Sequence, residues 1–275
     1  MRLYQDLSLP RVFTVTLLVT LLLLCRGLAQ AQFEEAGERQ LVQLINQERA
    51  SRGLPPLAVD QRLTQAARKH AELMAEHKAL SHQFDGEPTM DLRFADEHLR
   101  SDQQAENIAL NQDVPSAHEA LMGSPAHRAS ILHSGYNVLG VAVLRSGRHV
   151  YVTEDFAHRL TAYSEPEAEA VLQRAVENYA TTHGMPAPKR KPQSQLRHMA
   201  CDMALNDSLQ GRKVADLLGV REVAAWTTAV PGELPSSAKE LLSRPMSSGY
   251  SLGACFAPSV SQPGGVYWVV MVVYR

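Results

Sequence analysis

Gly140-Val141-Ala142-Val143-Leu144-Arg145-Ser146-Gly147-Arg148-His149-Val150-Tyr151-Val152-Thr153-Glu154-Asp155-Phe156 reads as a β-hairpin. Gly140 to Leu144 and His149 to Phe156 are rich in β-branched and aromatic side chains. The four residues between them carry a glycine suited to a tight reversal. What precedes the hairpin is helical. Leu41-Val42-Gln43-Leu44-Ile45 leads through Asn46 to Arg52 and stops at Gly53, with Pro55 and Pro56 beyond it. Apolar residues at i, i+3 and i+4 followed by glycine and proline mark an amphipathic helix and its end. A second helix reads over 65–74. The expected order is helix, helix, long loop, helix, strands. Helices segregated from a small antiparallel sheet make the class α+β, in layers.

The pattern then returns. Leu172, Ala175 and Val176 lead to Gly184 and Pro186, displaced by 131 from the first helix. Residues 195–204 face 65–74 at a displacement of 130. Glu222-Val223-Ala224-Ala225 faces Glu106-Asn107-Ile108-Ala109, Ser248-Gly249-Tyr250 faces Ser134-Gly135-Tyr136, Leu252-Gly253 faces Leu139-Gly140, and Val266-Tyr267-Trp268 faces Val150-Tyr151-Val152. A period near 120 residues indicates tandem duplication of a domain, since solenoid periods are roughly 20–50. The run Val266 to Tyr274 is apolar almost throughout, as expected of a strand covered on both faces.

Of the 275 residues, 45% are hydrophobic and 20% charged, which fits a globular protein and argues against disorder, collagen or a multi-span membrane protein. A formal charge of −2 offers no field for nucleic acid. Arg2 and Arg11 precede the apolar run Val12 to Cys25, too short for a spanning helix of about 20 residues but suited to a signal peptide. Ala29-Gln30-Ala31 then reads as a cleavage site. An acylated Cys25 and an uncleaved anchor are the alternatives. The expected organisation is a signal peptide at 1–31, a first domain at 32–160, a linker at 161–169 around Pro166, and a second domain at 170–275. Export leaves the protein periplasmic or extracellular, with no transmembrane segment in the mature chain. Cys201 and Cys255 remain as an even pair, either a disulfide in an oxidising compartment or two buried thiols.

The first half resembles the CAP superfamily, the SCP domain shared by cysteine-rich secretory, antigen-5-like and plant pathogenesis-related proteins, in its compact bacterial form. The residues that carry the likeness are 46–49, Gly53-Leu54-Pro55-Pro56-Leu57, 66–71, Ser81-His82, Ala105-Glu106-Asn107-Ile108-Ala109, Ser124-Pro125-Ala126-His127-Arg128-Ala129-Ser130-Ile131-Leu132, Gly135-Tyr136 and 151–156. The resemblance implies an α-β-α sandwich, followed by a second, degenerate CAP-like α+β domain. It also implies a surface cleft formed by His82, Glu106 and His127. The family often has tryptophan where Leu121 stands and, in eukaryotic members, a second cleft glutamate where Ser124 stands. Bacterial relatives usually have glutamine where this chain has Glu154, which makes Glu154 a candidate substitute acid. The same fold packs helix on sheet, so the repeat positions imply a helix-to-sheet disulfide between Cys201 and Cys255.

Two imidazoles beside carboxylates can hold a divalent cation such as zinc, with His82 and His127 as ligands, or can act as an acid/base pair. They can equally be capping histidines bonded to the glutamates. No Gly-x-Ser-x-Gly word supplies a nucleophile. The leading expectation is an exported binding module for a lipid, a small hydrophobic ligand or an envelope protein. The rivals are a metal-assisted or His/Glu hydrolase and a purely structural envelope module. His118-Glu119-Ala120-Leu121-Met122 fails as a zinc-protease helix because Met122 stands where histidine is required. His70 and His77 read as ordinary helix-surface residues, and Lys189-Arg190-Lys191 as a solvated loop. Ala71 to Glu106 spans 35 residues whereas Cys201 to Glu222 spans 21, so the second half lacks the loop that carries His82. Pro125 to His133 likewise shrinks to Pro245-Met246-Ser247, which removes His127.

Overall fold

The computed structural model describes residues 31–244 and 249–274. The expected signal peptide (apart from Ala31), Cys25 and the Pro245-Met246-Ser247 word lie outside them. In chain order the elements are β1 (Gln32–Phe33), α1 (Glu35–Ala50), β2 (Ala58–Val59), α2 (Gln61–His77), α3 (Met90–Asp96), β3 (Ser101–Asn111), α4 (Val114–Gly123), α5 (Pro125–Ile131), β4 (Val138–Ser146) and β5 (His149–Arg159). There follow α6 (Glu165–Thr182), α7 (Gln195–Leu205), α8 (Gly211–Leu218), β6 (Glu222–Thr228), α9 (Ser236–Ser243), β7 (Gly249–Ser259) and β8 (Gln262–Tyr274).

The hairpin β4–β5 turns at Gly147, whose φ of 61° is left-handed and therefore comfortable only for glycine or a small polar residue. The first sheet has the order β1-β4-β5-β3, with β2 parallel to β4. Side chains alternate across it. Val141 and Val143 with Val150, Val152 and Phe156 pack on Leu41 and Ile45 of α1 and Ala117 and Leu121 of α4. Ala142, Leu144 and Tyr151 pack on Ala67, Ala71 and Met74 of α2. The first half is therefore a sheet between two helical layers, in the α+β class.

The long loop expected between the second and third helices contains two elements. One is the short helix α3, and the other is β3, an edge strand whose first residues, Ser101-Asp102-Gln103-Gln104, have none of the apolar alternation that identifies a strand in sequence. The expected linker is also shorter. Ser164 and Glu167 form a capping box and Pro166 sits in the first turn, so 165–169 begin α6.

The second sheet has the order β6-β8-β7, the same as β3-β5-β4. Val266 to Val273 are all buried. Odd members face α6 and α9, and even members face α7 and α8. A Cβ on Gly140 would fall 2.1 Å from Leu63 C, and one on Gly253 would fall 2.4 Å from Leu196 C. Ala58 N–H donates to Asn137 O, and Lys191 N–H donates to Tyr250 O. These contacts put the second helices in register at a displacement of 133 (58 to 191, 63 to 196), not the 130 read from sequence. Cys201 therefore stands at the position of Arg68, not Ala71. Tyr151 faces α2 whereas Tyr267 faces α6, so the word Val266-Tyr267-Trp268 is out by one residue, and one residue exchanges faces. The basic run is not simply solvated either. Arg190 donates to Glu169 and Gln173, and Lys191 Nζ lies 4.8 Å from the Tyr274 ring centre.

Cys201 on α7 and Cys255 on β7 are disulfide-bonded, with Cα atoms 5.1 Å apart. Among the described residues no helix is long and apolar enough to cross a membrane.

Candidate functional site

The site grows from the edge strand. Glu106 on β3 lies opposite Asp155 on β5, and Asp155 lies opposite Gly140 on β4. This row faces α2. Because the α2 backbone presses on Gly140, the helix face passes close to the row, and His70 is completely buried there. His70 Nδ1 meets Glu87 Oε1 at 2.6 Å and Nε2 donates to the Ser81 carbonyl at 2.9 Å, with Glu106 Oε1 3.7 Å away. The loop held by those bonds presents His82. His82 Nδ1 lies 2.9 Å from Glu106 Oε1, and Arg93 of α3 donates to Glu106 Oε2 at 2.7 Å. A carboxylate facing a guanidinium accepts, so Nδ1 of His82 is the donor and Nε2 is directed away from Glu106.

Charge inside this cluster is unevenly shared. Asp155 is fully enclosed, and burial raises it well above the usual carboxylate range. The Glu106 charge pushes it further, and Arg93 pulls it partly back.

His127 comes from α5 on the other side of the edge strand. Its carbonyl accepts from Asn107 Nδ2 at 3.1 Å. Partial burial holds the His127 ring below the ordinary histidine range, and the charge of His82 adds to the effect. His82 and Glu106 are thus bonded directly, and His127 is within electrostatic reach of His82.

Glu154 does not join them. The alternation that turns Glu106 and Asp155 toward α2 turns Asn107 and Glu154 toward α1 and α4. Glu154 has no exposure and accepts from Asn107 Nδ2 at 3.0 Å, while its Oε1 has no partner. Burial raises its pKa to about 7, opposed by the Asn107 bond. It is a core acid and cannot replace a cleft carboxylate.

Three participants escape a reading for surface chemistry. His70, expected on the helix surface, lies instead in the stripe Leu63, Ala66, Ala67, His70, Ala71, Met74, all of it buried. Its position was legible, since it falls at i+3 and i+4 within an apolar face. Glu87 and Arg93 carried no signal, because they sit in a loop and a seven-residue helix without a recognisable motif. His118 is buried with neither ring nitrogen hydrogen-bonded.

Chemically, the arrangement presents one exposed imidazole on a buried and fully engaged carboxylate. Ser81 Oγ donates to Gln83 O, and both described cysteines are in the disulfide. A divalent cation fits poorly, because Glu106 is already committed to His82 and to Arg93, whose positive charge would oppose a metal ion. Among the described residues no group of three or more His, Cys, Asp or Glu side chains is arranged to hold one.

Residues 42–156 match the family model of the cysteine-rich secretory protein family, CAP. Two curated Bacillus subtilis proteins are similar. The uncharacterized membrane protein YlbC is 34% identical over 129 residues, covering 46% of this chain and 36% of its own length. The uncharacterized protein YkwD is 33% identical over 118 residues, covering 41% and 44%. The chain thus spans less than half the length of these relatives. The crystal structure of an extracellular protein containing a SCP domain from Bacillus anthracis is 27% identical, with a TM-score of 0.43, covering 45% of this chain and 41% of that one.

Proposed function

We propose that this chain, whose residues 42–156 are a CAP domain, is an exported binding protein whose contact surface is centred on His82 and His127. The observation that carries the reading is the state of Glu106. Its side chain is 3% exposed and bonded on one oxygen to Arg93 and on the other to His82, which is itself 57% exposed. A carboxylate so occupied is a poor general base but a good anchor. It fixes the tautomer and direction of His82, leaving Nε2 for a ligand. Export is supported by the apolar run Val12 to Cys25 and by the disulfide, which belongs to an oxidising compartment.

The second half is proposed to be a degenerate copy without the site. Aligned at Gly140 and Gly253, the row Glu106–Asp155 corresponds to Ala225–Val270, and Asn107–Glu154 corresponds to Trp226–Val269. The displacement of 133 sets Met203 in place of His70. Each polar member of the buried cluster on these elements thus has an apolar counterpart, which supports loss of the site with retention of the layers.

The test is mass spectrometry of what co-purifies with the exported protein, compared with the His82→Ala/His127→Ala double variant. A lipid or small apolar molecule, or an envelope protein, retained by the wild type and lost from the variant is expected. Equal retention by both overturns the reading. Turnover of a peptide or ester substrate that disappears in the variant would replace it with a hydrolase.

A further inference from the structure

The second half touches the first at one mechanically important place. Between α3, which carries Arg93, and β3, which carries Glu106, lies a short joint ending in Leu99 and Arg100. His98 in it has a left-handed φ of 59°, and Leu99 N–H donates back to Phe94 O. Arg100 is 7% exposed, although among the described residues no carboxylate forms an ion pair with it. Its guanidinium donates to the Thr161 carbonyl at 2.8 Å, the Tyr267 hydroxyl at 3.1 Å and the Ala229 carbonyl at 3.0 Å. The same group lies 4.6 Å from the Phe256 ring centre and 4.8 Å from that of Tyr267.

The receiving side is equally specific. Tyr267 Oη accepts from Tyr163 N–H at 2.7 Å and donates to Tyr163 O at 2.8 Å, so the hydroxyl that receives Arg100 is itself held. Beside it Gly264 of β8 lets the strand approach the joint, since a Cβ there would fall 2.9 Å from Leu99 O. Phe94, Leu99 and Ser101 line a cavity of about 80 Å³ with Gln262, Pro263 and Gly264.

A buried cation without an acid is poor use of an arginine if it only fills space, because a leucine would avoid the desolvation. Its value lies in direction: three acceptors and two ring faces from Thr161, Ala229, Phe256 and Tyr267 admit one orientation. We propose that Arg100 is a positioning residue, through which the second half holds the α3–β3 joint and so keeps Arg93 on Glu106 and Glu106 on His82. The inference deepens the binding reading above and takes its functional meaning from it.

The experiment uses the full oxidised chain carrying Arg100→Gln and, separately, Tyr267→Phe, which removes only a hydroxyl. Amide exchange is followed at Arg93 and Leu99 and, as a control, at Leu252 and Ala254. The ring nitrogens of His82 are followed by NMR. Losing one good charge-assisted bond should speed exchange at Arg93 and Leu99 by about tenfold. The His82 Nδ1 signal should move from that of a proton held on a carboxylate toward that of free imidazole, while the controls stay unchanged. Unchanged Arg93, Leu99 and His82 signals overturn the proposal. Equal loss of protection at all four amides in both variants also overturns it, because the contact would then support the fold as a whole. If Arg100→Gln does not fold, Tyr267→Phe decides alone. Neither readout involves a ligand, so a failed ligand screen and a failed positioning role remain distinct results.

Discussion

Glu154 is an acid in a place that cannot stabilise its charge. One oxygen accepts from Asn107 and the other has no partner, and burial raises the group from 4.5 to about 7. A carboxyl raised in the folded state favours folding fully below its unfolded pKa and loses that contribution as pH climbs through the folded value. The window is therefore roughly pH 4.5 to 7, and the loss across it is about 3 kcal/mol. Asp155, also raised, acts in the same direction. Comparison with Glu154→Gln isolates the first group. Urea unfolding should show the wild type losing about 3 kcal/mol more than this variant between pH 5 and pH 8. Parallel pH curves would remove Glu154 as the cause. Glu154 also illustrates what a sequence hides. Its word in the chain was clear, but whether an acid faces a cleft or a core depends on strand parity, and parity near an edge strand shows only in the pairing.

Elements declared themselves in proportion to their apolar periodicity. The hairpin β4–β5 and helices α1, α2, α6 and α7 were legible because each buries a regular stripe. The joint of α3 and β3 was not, since Arg93 is buried by its ion pair with Glu106, and Arg100 by hydrogen bonds and ring contacts, rather than by apolarity. His82, Glu106 and His127 were legible as words, whereas Glu87, which holds His70, and Arg93, which holds Glu106, were not. The staple between α7 and β7 was legible through the resemblance, although the helical register behind it was three residues out. A three-residue shift on a helix returns nearly to the same face, so the pairing survives the error. The bond joins residues 54 apart. Replacing both cysteines with serine should lower stability by about 2–4 kcal/mol, measured by urea unfolding under non-reducing conditions. A loss below about 1 kcal/mol would mean that packing of Leu196, Met199 and Ala200 on β8 already restrains the helix.

At the scale of the molecule, the question is whether two sheets of the same order behave as one unit. The contact through Arg100 predicts that they do. Trp226 and Trp268, the two tryptophans of the chain, are both buried in the second half, so their emission reports that half alone. Amide exchange or ring signals of His70, enclosed between α2 and the Glu106 row, report the first half. In the wild type both probes should follow a single urea transition, as expected when unfolding of one half strands the groups of the other. If the second half unfolds alone, Arg100 keeps the Thr161 carbonyl of the linker but loses the Tyr267 hydroxyl, the Ala229 carbonyl and two ring faces, and α3 loses its support on β8. Hydrogen bonds from a charged group and a desolvated cation–π contact together make that coupling worth about 2–4 kcal/mol. Arg100→Gln should remove most of it and separate the two midpoints, with each transition still cooperative. Midpoints that already differ in the wild type, or that stay together in the variant, would show that the coupling runs elsewhere. The second half would then support the site no more than any other neighbour does.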